Sequence, residues 1–111
     1  MMPTTPVSPF PWTQLYLPEM DGKPLNNYYH WLGLTYVVTL VTNPAIAIPC
    51  GTDHKGMPFG LQVIGRFRGD RELLAASHAM EQAFKSSGTL KRPRPDLAKL
   101  TRTTPELKSI V

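Results

Sequence analysis

Apolar side chains in this chain recur first at helical spacing. Tyr28, Trp31, Leu32, Thr35, Val38 and Val41 fall near one face, predicting a helix that Asn26 or Asn27 caps and that runs to about Val41. The opposite side, with Tyr29, Leu34, Tyr36, Val37 and Leu40, is apolar too. A helix apolar all round is one that expects burial on every side. The β-branched stretch 35–42 weakens its last two turns, and Asn43-Pro44 ends it. The spacing then changes. Ala45–Cys50 is a short apolar run whose Pro49 puts it at a strand end or beside an unpaired position. Phe59–Gly65 is a second strand, with Leu61 and Val63 on one face and Gln62 and Ile64 on the other. The turn 51–56 between them carries Asp53 and Gly56, which tolerate left-handed backbone, so the two runs predict an antiparallel hairpin. Helical spacing returns after Gly69. Asp70 is the expected N-cap, Leu73, Ala76, Met80, Ala83 and Phe84 the apolar stripe, Lys85 the last-turn cation and Gly88 the left-handed residue past the end.

The prolines confine this core. Six of the twelve lie in residues 1–24 and three after residue 92. Proline lacks an amide donor and fixes its own φ, so neither end makes a regular helix or an inner strand. Residues 1–24 therefore read as an extended arm with a turn at Asp21-Gly22, and Phe10, Trp12, Leu15, Tyr16 and Leu17 lay it on a surface. Only about Leu25–Phe84 can build a core, and two strands rarely stand alone in water. A large self-contained enzyme is excluded. The longest uncharged run, Pro24–His54, is interrupted by asparagines, His30 and prolines, so no membrane partner is expected. No signal peptide is recognised, and the single Cys50 fits a reducing compartment, so the expected location is cytoplasmic.

Charge divides unevenly. Residues 1–84 carry five basic and six acidic side chains, whereas residues 85–111 carry seven basic and two acidic ones. A basic tail can meet phosphates. This one lacks an aromatic residue for stacking bases, so the expectation is a solvated tail rather than a nucleic-acid contact.

The stretch 43–84 carries the family signal. Asn-Pro-Ala-Ile-Ala-Ile-Pro-Cys-Gly at 43–51, Gly-Met-Pro-Phe-Gly-Leu-Gln-Val-Ile-Gly-Arg at 56–66, and a helix opened by Asp70 through Leu73-Leu74 to Glu81 follow in order. They resemble the C-terminal end of the amidase signature family of carbon–nitrogen hydrolases. The arm and first helix fit more loosely. The resemblance implies an α/β fold, here a fragment of the family's mixed sheet: helix, hairpin, helix, with the proline-rich arm (1–24) before it and the basic, largely irregular tail (89–111) after residues 25–88. It also implies a serine, cis-serine and lysine triad acting on an amide. The family's Gly/Ser-rich signature is not among these residues, so the expected catalytic set is empty and the chain is expected to be inert by itself. Lys85-Ser86-Ser87-Gly88 only superficially resembles that signature and reads as a helix C-terminus.

The weak substrate-binding candidates are Thr42 and Asn43, at the helix-to-strand turn that the resemblance places beside the cleft. No cofactor is expected. His30, His54, His78 and Cys50 match no zinc spacing, and Cys50 reads as a small core-facing residue. The family's transamidating branch carries an acidic residue twelve positions before the proline of the Pro-Ala strand. Leu32 stands there, which argues for a general amidase on a small-molecule amide. The expected partners are the remainder of an amidase chain, which this piece could complete by docking, or further copies of itself.

Overall fold

The computed structural model describes residues 1–101; Arg102, Pro105, Glu106 and Lys108 of the basic tail lie outside them. The Asn27 side chain accepts the Tyr29 amide at 3.0 Å and opens the first helical region. The single helix expected up to Val41 is instead a 3₁₀ turn, Tyr28–Leu32, followed by helix α1, Gly33–Leu40. Side chains three apart nearly eclipse in a 3₁₀ turn, and Tyr28 meets Trp31 edge to face with centroids 6.0 Å apart. Both aromatics also receive the arm. Phe10 packs on Trp31 at 5.7 Å and Tyr16 on Tyr28 at 6.0 Å. Of α1's apolar surface only Val38 is buried.

Strands β1 (Met2–Pro3), β4 (Ala45–Thr52) and β5 (Pro58–Ile64) form one antiparallel sheet in the order β1-β5-β4. The expected two-stranded sheet is therefore corrected to three, because the start of the arm folds back onto β5. Met2 faces Gln62, Pro3 faces Leu61, and the Thr4 amide donates to the Gly60 carbonyl at 2.9 Å. Pro3 sits on an edge strand, where a missing donor costs least. Pairing of Ile46 with Val63 and of Ile48 with Leu61 puts those four on one sheet face. The ladder slips between Pro49 and Thr52, where proline cannot donate. Strands β2 (Glu19–Met20) and β3 (Lys23–Pro24) make a small ribbon around Asp21 and Gly22, both left-handed at φ 53° and 69°.

Helix α2, Asp70–Lys85, packs on the Ile48 face. Two of its expected ends are corrected. Gly69, not Asp70, is the N-cap, and Asp70 with Glu72 occupies the first turn, where a carboxylate complements the helix dipole. A Cβ at Gly69 would stand 2.6 Å from the Arg66 Cγ, so the tight approach of Arg66 selects glycine as the cap. At the other end the cap is Ser86, right-handed, and Gly88 is not left-handed. The buried stripe is also rotated from the expected one: Leu73, Ser77, Met80 and Phe84 face inward while Ala76 and Ala83 are exposed. The core is Ile48, Val63 and Leu73, with Ile46, Met80 and Phe84 against it. On the sheet's other face, buried Gln62 donates to the Leu34 carbonyl of α1 at 2.9 Å. A short helix α3, Leu97–Leu100, lies in the basic segment, capped by the Asp96 side chain. Among the described residues no helix is long and apolar enough to cross a membrane.

Candidate functional site

Thr42 and Asn43 join α1 to β4. Thr42 is exposed and left-handed at φ 58°, a conformation in which a β-branched residue is strained. Its amide donates to the Thr39 carbonyl at 3.0 Å and its hydroxyl to the Val41 carbonyl at 2.7 Å, so it closes the helix end. Asn43 is half-buried beside it. The turn thus exposes a polar hydroxyl next to an amide side chain at one end of β4.

The signature-like serines are occupied locally. The Ser86 hydroxyl donates to the Ala83 carbonyl at 2.8 Å, and the Ser87 hydroxyl accepts the Leu90 amide at 3.0 Å. Lys85 donates to the Gln82 side chain at 3.1 Å rather than facing either serine. His30 ends the 3₁₀ turn, His54 is on the hairpin loop, and His78 lies on α2 near Gln82. Cys50 is a half-buried free thiol on β4. Among the described residues no three His, Cys, Asp or Glu side chains gather as metal ligands would.

Two carboxylates are held below their ordinary pKa range. At Asp53 the Ser8 hydroxyl and then the Met57 amide favour the ionised form, with the Lys55 amide adding to them. The Oδ1 atom accepts the Lys55 and Met57 amides at 2.8 and 2.9 Å and so fixes the hairpin loop. Glu72 is lowered first by its own backbone amide and next by the Arg66 guanidinium, 2.6 Å away on the surface.

The far end of β4, roughly 20–25 Å from Thr42 by the rise of a strand, holds a feature that the residue-by-residue reading missed. The segment after α2 turns back and crosses the strand. The Gly51 amide donates to the Lys91 carbonyl at 3.3 Å, and a Cβ on Gly51 would stand 2.3 Å from the Thr89 carbonyl oxygen. The crossing leaves a cleft of about 460 Å³ bordered by Gly51, Thr89, Lys91, Arg92 and Arg94. A neighbouring one of about 400 Å³ shares the last three residues and adds Lys85, Phe84 and Glu81. The uneven charge was visible in the sequence; its gathering around one strand end was not.

A family model described as Amidase matches residues 1–74, so the likeness takes in the arm and first helix, where the motifs fit loosely. The similar proteins include the first of the subunits that make up a glutamyl-tRNA(Gln) amidotransferase. The one from Prochlorococcus marinus (strain MIT 9211) is 42% identical over 93 residues, 84% of this chain and 18% of the relative. Its counterpart from Gluconobacter oxydans (strain 621H) is 35% identical over 85 residues, 75% of this chain and 16% of the relative. That from Alkaliphilus metalliredigens (strain QYMF) is 38% identical over 82 residues, 74% and 16%. The chain spans less than a fifth of the length of these relatives. Leu32, expected to set it apart from the transamidating branch, does not keep it from resembling proteins of that name. No solved structure matches.

Proposed function

The chain belongs to the amidase family, and we propose that it is the C-terminal portion of a hydrolase acting on carbon–nitrogen bonds of amides. The observation that carries this reading is the family match over residues 1–74 in a chain that spans only 16–18% of its relatives. In such an enzyme the nucleophilic serine, the bridging serine and the lysine belong to the remaining length. A serine attacking an amide carbonyl needs a positioned base and donors for the developing oxyanion, and these must converge within a few ångströms. The present segment supplies support: it completes a sheet, covers it with α2, and sets one turn at the edge of the cleft.

Thr42 and Asn43 are the residues we assign to that edge. The support is an exposed hydroxyl beside an amide side chain, on a backbone whose left-handed strain the surrounding fold must hold. As to substrate, three relatives carry amidotransferase names that specify glutamyl-tRNA(Gln), and this favours the transamidating branch over the general amidase to which Leu32 points.

The test is complementation. An amidase body lacking the corresponding segment is co-expressed with this chain and assayed on a simple amide and on glutamine. Activity is expected only when both are present, and the 111-residue chain alone is expected to give none. Turnover by the chain alone, or a body indifferent to it, would overturn the reading. In the restored enzyme Asn43→Ala is expected to raise KM with little change in kcat.

A further inference from the structure

We propose that the crossing of residues 89–94 over the end of β4 is a docking surface for the phosphodiester backbone of a single-stranded nucleic acid. Lys91, Arg92 and Arg94 border both clefts, and Lys85 of α2 borders the second. All four are exposed. Among the described residues none of them is paired with a carboxylate; the ion pair found there joins Arg66 to Glu72 at the other end of α2. Glu81 is the acidic side chain in either lining.

A flexible basic tail would attract anions without shaping them. This segment is fixed. The Gly51 amide holds the Lys91 carbonyl, the missing Cβ of Gly51 lets Thr89 lie against the strand, and the Ser87 hydroxyl takes the Leu90 amide. Pro93 and Pro95 then stiffen the chain on either side of Arg94. Cations set in advance around a concavity neutralise successive phosphates without first losing chain entropy. The concave shape favours a flexible strand over a flat membrane face. The lining has no base-reading pattern, and its aromatic residue, Phe84, is half-buried in the core, so contacts fall on phosphates and not on base identity. This surface lies at the opposite end of β4 from Thr42 and does not depend on the hydrolase reading.

The full chain is titrated against a fluorescently labelled single-stranded RNA of mixed sequence over a salt series. Binding is expected, with log affinity falling against log salt at a slope of about −2 to −3 for three or four phosphate contacts. Lys91→Gln/Arg92→Gln/Arg94→Gln is expected to weaken binding at least about tenfold and to flatten that slope by about 2. The charge-matched control Lys23→Gln/Arg68→Gln/Arg71→Gln is expected to stay within about twofold of the parent chain. Independently of any variant, RNA is expected to shift the backbone amide resonances of residues 89–94 in the unmutated chain. The proposal fails if no binding occurs at low salt, if the two variants lose affinity equally, or if the shifts fall elsewhere. It fails also if vesicles of anionic phospholipid or poly-glutamate compete as well as RNA at equal charge.

Discussion

Gly51 meets two demands that an L-residue cannot meet together: φ of 71°, and a Thr89 carbonyl oxygen 2.3 Å from where a Cβ would stand. Left-handed backbone alone costs an L-residue roughly 1–2 kcal/mol. The contact adds to this by pushing the crossing segment off the strand. Gly51→Ala is therefore expected to lower Tm by roughly 5–10 °C at 4–8 °C per kcal/mol, and to deprotect the Gly51 amide in hydrogen exchange. The same substitution at Gly56 meets open space and bears only the backbone cost. Asp53 sets a pH limit on the adjoining loop. Its carboxyl is held below the ordinary range in the folded chain by Ser8 and the Met57 amide. Its contribution is thus fully present above the unfolded-state pKa and is lost as pH falls through the lower folded-state value. Faster exchange of the Lys55 and Met57 amides at strongly acidic pH, relative to the β4–β5 ladder, is the expected outcome, and Asp53→Asn is expected to remove that pH dependence.

Among the elements, α2 carries one polar side chain on its inner face. Ser77 is 4% exposed and its hydroxyl oxygen finds no partner among the described residues. An unpaired buried hydroxyl costs about 1–3 kcal/mol, so Ser77→Ala is expected to be neutral or stabilising by up to that amount in denaturant unfolding. The same residue shows why the helix face was misjudged from sequence. Ala76 and Ala83 score as apolar and Ser77 as polar, yet Leu73, Ser77, Met80 and Phe84 are the residues at the spacing that meets the sheet. Strands β4 and β5 and their loop were legible because alternation, Asp53 and Gly56 act within a few residues. The Asp21-Gly22 turn was legible for the same reason. Strand β1 was not, since Met2 finds its partner at Gln62, far along the chain. The cap at Gly69 was missed because Arg66 packing, and not hydrogen-bonding capacity, selects it. As for the site, family motifs led to Thr42 and Asn43, whereas the basic cleft needed the Gly51 crossing, a tertiary contact with no local signature.

The whole molecule exposes more than a closed domain would. Its accessible surface is 8829 Å², against roughly 6,100 Å² for a compact monomer of 12.4 kDa. The Cα radius of gyration is 16.7 Å, where about 13 Å is usual. Tyr36, Val37, Leu40 and Val41 stay exposed around α1, and β4 has one unpaired edge. The other sheet edge, expected to be bare as well, is partly covered by β1. Surfaces of this kind recruit partners. Sedimentation equilibrium over a dilution series is expected to show self-association that Val37→Glu/Leu40→Glu abolishes; a single 12.4 kDa species at every concentration would contradict it. The β1–β5 pairing also orders events in time. Strands β4 and β5 close a loop of a few residues, whereas joining Met2 to Gln62 closes about sixty, a difference of roughly 2 kcal/mol in chain entropy. The hairpin can therefore form early, while the first strand has to wait for it as a template. Mutations at Met2 should leave the folding rate nearly untouched and appear almost wholly as faster unfolding. A nascent chain carrying this segment would hold its own first residues in reserve until the hairpin had emerged.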